Sequence, residues 1–258
     1  DKYVHADIHS ITFRNNNPDE FAVTTDGGIF YTNNASSSNS DNIIFYEKNN
    51  NYNTLQYYTG SIHPDTDNKV VIGGLQDNGT LIYAENDFYN IQAGPLTTNN
   101  MISGGDGAYC FFDNNQPNIL ITSTYYNRYY LFIDNEYYNY FNGNNGIFIN
   151  PAEYDYINNT LYANAVKFNG SQQNRIYIIE DIDSNPNEFT LNLQTDTSVP
   201  YSTLKYSKFS DQNNILYLGT QSGYLFKAII NQNNSINITD ITGNNFPTAN
   251  ISSISEGM

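Results

Sequence analysis

The stretch Val70-Val71-Ile72-Gly73-Gly74-Leu75-Gln76-Asp77-Asn78-Gly79-Thr80-Leu81-Ile82-Tyr83 sets two apolar, β-branched runs on either side of a polar turn that ends in glycine. Runs of this kind favour strands, and Asp, Asn and Gly favour the tight turn between them, with Gly79 at positive φ. The unit recurs: comparable turns stand at Thr25-Asp26-Gly27-Gly28, Tyr126-Asn127, Asn169-Gly170-Ser171 and Gln221-Ser222-Gly223. Taking positions 26, 77, 127, 171 and 222, the spacings are 51, 50, 44 and 51 residues. A period that long fits four strands per unit, a propeller blade rather than a helical repeat.

Working outward from the turns, each unit has the same order. Opening strands are expected at Ile8 to Phe13, Thr59 to His63, Ala108 to Phe112, Ile147 to Asn150 and Leu204 to Phe209. A second strand precedes each turn, as in Phe21 to Thr24 and Ile119 to Thr122, and a third follows it, as in Ile29 to Tyr31 and Tyr130 to Ile133. Weaker fourth segments close the units at Ile43 to Tyr46, Phe88 to Gln92, Tyr137 to Phe141, Phe189 to Leu193 and Ile236 to Ile241. The expectation is an all-β propeller of four-stranded antiparallel blades, five visible at roughly 1–50, 51–100, 101–145, 146–197 and 198–245. Residues 246–258, with Ile251 to Ile254, would start a further blade of a larger ring. No window of 11 or more residues carries an unbroken helical period. A two-sheet sandwich would not need the 50-residue repeat.

The 258 residues carry 26 acidic against 10 basic side chains, a net charge of −16. Bare nucleic acid and anionic membrane surfaces both demand a basic patch, so neither is an expected partner. Tyr and Phe supply an aromatic share of 15% while charged residues make up only 14%, which is a folding composition and not a disordered one. No apolar run reaches the roughly 18 residues of a membrane helix, and Asp1-Lys2-Tyr3-Val4-His5 has no signal-peptide pattern, as expected of a mature form or a piece of something longer. Cys110 is a single cysteine, so no intrachain disulfide or cysteine-based zinc site is available. Its neighbours Ala108, Tyr109, Phe111 and Phe112 make it a buried thiol rather than a nucleophile.

The segments His5-Ala6-Asp7-Ile8-His9, Thr25-Asp26-Gly27-Gly28 with Ile29-Phe30-Tyr31-Thr32, Gly73-Gly74-Leu75-Gln76-Asp77-Asn78-Gly79 and Ser103-Gly104-Gly105-Asp106-Gly107 occur in one order. Together they resemble the secreted β-propeller superfamily of sortilin-type and bacterial-neuraminidase-repeat proteins, including xyloglucanase-type glycoside hydrolases. The similarity covers roughly residues 1 to 135. It implies a secreted or cell-surface protein, and the Asn- and Tyr-rich composition looks like that of Bacteroidetes-like bacteria such as Flavobacteria. The chain departs from the repeat's Asp-box, which would need a tryptophan, and has none.

Alternation along a strand would place His5, Asp7 and His9 on one face, with steps of about 7 Å. A His-x-Asp-x-His face can hold a divalent metal or run acid and base chemistry, or it can simply bond neighbouring turns. Gln76, Asp77, Asn78 and Asp106 join His5, Asp7 and His9 as candidate binding residues. Asp77 and Asn78, like Asp26, also suit a tight turn in which Asx side chains cap amides. A glycosidase needs two carboxylates about 5–5.5 Å apart for retention or about 6.5–9.5 Å for inversion, and Asp7, Asp26, Asp77 and Asp106 are the candidates. Tyr57, Tyr58, Tyr125, Tyr126, Tyr129, Tyr137 and Tyr138 are expected to be exposed, either as sugar platforms or in cross-strand packing. Asp65-Thr66-Asp67-Asn68 and Asp181-Ile182-Asp183-Ser184-Asn185 are oxygen-rich enough for calcium, yet read better as solvated turns.

The sequence therefore points to a propeller that binds protein or carbohydrate at its mouth, alone or beside further blades or subunits. A glycoside hydrolase acting through paired carboxylates and a structural subunit of a cell-surface assembly are the alternatives.

Overall fold

A computed structural model describes residues 3–50, 55–67, 69–88, 91, 100–166, 174–193, 200–209, 214–231 and 235–256. They form five four-stranded antiparallel sheets. The first holds β1 (Ile8–Arg14), β2 (Asn17–Thr25), β3 (Gly28–Thr32) and β4 (Tyr46–Glu47). The second holds β5 (Tyr57–Ile62), β6 (Val70–Leu75), β7 (Gly79–Ala84) and β8 (Asn100–Ser103). The third holds β9 (Cys110–Phe112), β10 (Ile119–Thr124), β11 (Arg128–Ile133) and β12 (Glu136–Asn142). The fourth holds β13 (Ala152–Asp155), β14 (Thr160–Asn164), β15 (Arg175–Glu180) and β16 (Asn187–Asn192). The fifth holds β17 (Tyr201–Tyr206), β18 (Asn214–Thr220), β19 (Leu225–Ile230) and β20 (Ile236–Asp240). Within every sheet the strands lie in chain order, so each sheet is a local meander and the repeat is a series of propeller-like blades.

The third sheet shows why these residues stack. Alternate residues of a strand point to opposite faces. Cys110, Phe112, Leu120 and Phe132 pack against Val70, Ile72 and Ile82 of the second sheet and Phe88 in the segment after β7. Ile119, Ile121, Tyr129 and Leu131 face Tyr154, Leu161, Ala163, Tyr177 and Ile179 of the fourth. All six residues of β10 are buried, which explains its unbroken apolar start, Ile119-Leu120-Ile121. A third core joins Tyr162, Ile176 and Ile178 to Leu204, Tyr206, Leu216 and Leu218 of the fifth sheet. At about 1.5–3 kcal/mol for each large apolar side chain fully buried, these cores hold successive sheets together. The Lys205 Nζ donates to Glu153 Oε1 at 2.5 Å across the last of these junctions. Cys110 lies in the second-to-third core, and burial pushes its thiol up to about 11, so the thiolate is suppressed.

Four expected elements shift, one of them the opening strand of the fifth unit, which is β17 at Tyr201–Tyr206 rather than Leu204 to Phe209. Phe88 and Ile91 form an isolated bridge, and the outer strand of the second sheet is β8, at Asn100–Ser103, across the boundary expected at residue 100; Gln92 lies outside the described residues. Outer strands such as β8 are half exposed, so their apolar signal is weak. In the fourth unit the opening strand is β13, after Pro151, because the Asn150 Oδ1 accepts the Ile147 N–H at 2.9 Å and holds residues 147–150 in a bend. In the first, Asn39 caps a single 3-10 turn at Ser40–Asn42, and only Tyr46 and Glu47 of the fourth segment pair.

Residues 251–254 carry no ladder. Nevertheless the Ile251 N–H donates to the Thr220 carbonyl at 3.1 Å, and its carbonyl accepts from Ser202 Oγ at 2.7 Å. The lead-in to β9 contacts the second sheet in the same way: Gly107 N–H donates to the Leu75 carbonyl at 2.7 Å, and the Ala108 carbonyl accepts from Thr59 Oγ1 at 2.8 Å.

Candidate functional site

Meander order decides which loops meet. In a four-stranded meander the second-to-third turn and the link to the next sheet emerge at the same end. That end therefore collects Asp7 before β1, Asp26 between β2 and β3, Asp77 between β6 and β7, and Asp106 between β8 and β9. It also collects Tyr125 and Tyr126 between β10 and β11, Phe148 between β12 and β13, and Ser222 between β18 and β19. The fourth marker, Asn169-Gly170-Ser171, lies outside the described residues.

Three of the four candidate carboxylates converge: Asp7, Asp26 and Asp77 each offer an oxygen within 4.8 Å of the others. Asp106 holds the cluster's second turn, its Oδ1 accepting the Asp77 N–H at 3.1 Å. Asn78 Nδ2 reaches the Asp26 carbonyl at 3.4 Å, and the His5 ring donates through Nε2 to the Asp77 carbonyl at 2.8 Å, so the first and second sheets are pinned together here. His9 Nε2 lies 2.5 Å from Asp26 Oδ1, and this carboxylate holds the imidazole above its ordinary pKa. Asp77 is held above its ordinary carboxyl value by burial first and then by Asp106, Asp26 and Asp7. Gln76, the remaining candidate, accepts a hydrogen bond from the Tyr58 hydroxyl.

The expected His5, Asp7 and His9 strand face is corrected. Asp7 adopts φ 58 and precedes β1, so the alternation that would align the three never begins. The oxygen set able to hold a hard divalent cation such as calcium is instead Asp7, Asp26 and Asp77, drawn from two sheets. The other oxygen-rich turns are engaged otherwise: Asp65 Oδ1 accepts the Asp67 N–H at 3.0 Å, and Asp183 Oδ2 accepts from Gln116 Nε2 at 3.1 Å.

Among the tyrosines, Tyr129 is a correction: it is fully buried, its hydroxyl donating to Asn127 Oδ1 at 2.8 Å. Tyr58 and Tyr126 are open at the site end, while Tyr137 and Tyr138 are open on the outer strand β12. Tyr125 stacks on Phe148 with ring centroids 5.9 Å apart. Sequence reading missed Arg128, which follows this turn with its guanidinium over the Tyr125 ring at 4.5 Å. The available signal was a single cation set inside the run Tyr125-Tyr126-Asn127-Arg128-Tyr129-Tyr130.

The pH dependence of this end has a definite sign. Asp77 is raised in the fold, so its ionised form opposes folding, and the relief grows as pH falls toward and below the ordinary carboxyl value of 3.8. His9 is also raised, so its pairing stabilises fully below 6.5 and is lost as pH rises through its folded value. Asp77→Asn is therefore expected to melt higher than the parent at pH 7, with the advantage vanishing below about pH 4. Melting curves at both pH values check this, and an unchanged or lower melting temperature at pH 7 would refute the repulsion.

No family model and no curated protein matches the chain. Among solved structures, the crystal structure of an ancestral GH74 enzyme is similar with a TM-score of 0.52 and 11% identity, over 90% of this chain and 32% of that one. The likeness is one of fold, and the chain spans about a third of that structure's length. No helix among the described residues is long and apolar enough to cross a membrane.

Proposed function

We propose that this chain is a binding scaffold of an exported or cell-surface bacterial protein, and that it receives a glycan on the end carrying Asp7, Asp26, Asp77 and Asp106. Residues 246–258 open a further blade, in keeping with the way Ile251 lies on the fifth sheet. The observation that carries the glycan reading is the convergence, at one end of successive sheets, of carboxylates with open tyrosines. Carboxylates accept hydrogen bonds from sugar hydroxyls, and tyrosine rings offer flat apolar faces to pyranose C–H groups.

A second reading, glycoside hydrolysis, is favoured by one observation: Asp77 holds its proton more firmly than an ordinary carboxyl, as a general acid must. Affinity electrophoresis through gels containing neutral and acidic polysaccharides, with reducing ends measured in parallel, separates the two. The expected result is retardation without new reducing ends. Release of reducing ends that disappears in Asp77→Asn would establish the hydrolase, and absence of retardation in every gel would overturn the glycan reading in favour of a protein partner.

A further inference from the structure

Resting on that glycan reading, we infer that a second subsite at the same end, between the second and third sheets, selects saccharides that carry a carboxylate. A cleft of about 510 Å³ lies there, lined by Ser103 of β8 and by Thr124, Tyr125, Arg128, Tyr130 and Tyr137 of the third sheet. No acidic residue lines it among the described residues. Arg128 is half buried, and its guanidinium has neither a carboxylate within salt-bridge distance nor a side-chain hydrogen bond among the described residues; its contact is the Tyr125 ring. In a chain of net charge −16, a guanidinium with no carboxylate beside it among the described residues is available to an anion from outside. Its planar fork matches a carboxylate bidentately.

A second, independent observation lies in the hydroxyls. Ser103 Oγ is buried at the cleft wall without a hydrogen-bond partner. Thr80 Oγ1, opposite Ser103 in the ladder, and Thr122 Oγ1, two residues before Thr124, are likewise buried without a partner but lie behind the lining. A buried hydroxyl without a partner is costly, and a sugar hydroxyl entering the cleft would satisfy the one at its wall. Tyr130 and Tyr137 supply rings on which a pyranose can lie, so a uronic acid residue meets all three features: ring faces, hydroxyls and a carboxylate fork.

The test uses oligogalacturonate and its methyl ester, which keeps the ring and removes the charge, titrated calorimetrically into the parent protein, Arg128→Gln and Arg128→Lys. The expected result is binding of the acid about tenfold to a hundredfold tighter than the ester, the scale of a charge-assisted hydrogen bond. The difference should collapse in Arg128→Gln and be only partly kept in Arg128→Lys, which retains the charge and loses the fork. Unchanged melting temperatures show that the variants fold. Equal binding of acid and ester, or an acid preference that survives Arg128→Gln, overturns the carboxylate subsite and leaves the glycan reading standing. Failure of the parent to bind either, with no retardation in any polysaccharide gel, overturns both.

Discussion

Replacing Asn164 with leucine is expected to destabilise the protein by about 3 kcal/mol or more, since each buried group left unpaired costs about 1–3 kcal/mol. Asn164 is fully buried at the end of β14. Its Oδ1 accepts from the Tyr201 N–H at 3.2 Å and the Val166 N–H at 3.3 Å, and its Nδ2 donates to Asn150 Oδ1 and the Val166 carbonyl, both at 3.0 Å. Asn150 Nδ2 in turn donates to Asn127 Oδ1 at 2.6 Å and to the Asn164 carbonyl at 2.8 Å. Asn127 Nδ2 donates to that same carbonyl at 2.8 Å. Three asparagines from three segments thus close one buried network beneath the site end, joining the third, fourth and fifth sheets. Leucine fills the volume and satisfies none of these groups. Urea unfolding should show a lower midpoint with an unchanged slope. Asn164→Asp, which sets a carboxylate against Asn150 Oδ1, should lose stability at neutral pH and regain part of it as acid protonates the new group. A leucine variant that unfolds at the parent midpoint would show that the network contributes nothing net.

The second large effect is expected at Gly74. A β-carbon there would stand 2.0 Å from the Ala108 carbonyl oxygen and 2.7 Å from its nitrogen, both backbone atoms of the neighbouring blade's lead-in. Backbone cannot swing aside as a flexible side chain can, so Gly74→Ala forces the second and third sheets apart and opens the core around Ile72, Cys110 and Leu120. A loss of about 3 kcal/mol is expected, at the upper end of overpacking effects. Cys110 provides a direct readout: its thiol, silent to an aromatic disulfide reagent in the parent, should become reactive in Gly74→Ala under native conditions. Gly104→Ala is the control, because nothing lies within 4 Å of a β-carbon at that position, and it should melt with the parent. Equal melting of both variants would show that the junction yields.

What could be read from the residues was local and periodic. The turn Gln76 to Gly79, its recurrences, and the apolar runs flanking them specify strand, turn and strand through side-chain preference alone, and four such strands per 50 residues specify a blade. That is why β2, β3, β6, β7, β10, β11 and β14 stand where the sequence placed them. Of the outer strands, β12, β16 and β20 stand where expected, while β8 and β4 escaped because they have one side in water and little apolar pattern to betray them. Asp7, Asp26, Asp77 and Asp106 were legible as candidates one by one, from turn chemistry and from resemblance. That three of them share one 4.8 Å cluster was decided only by tertiary structure. The meander puts every second-to-third turn at the same end as the links between sheets, and side-by-side stacking then brings together residues 19 and 51 positions apart. The single residue φ of Asp7 broke the histidine alignment that strand periodicity alone would have imposed. Arg128 became informative only once its surroundings were known: whether a cation is paired depends on which sheet faces it, and that is a property of packing that no local preference encodes.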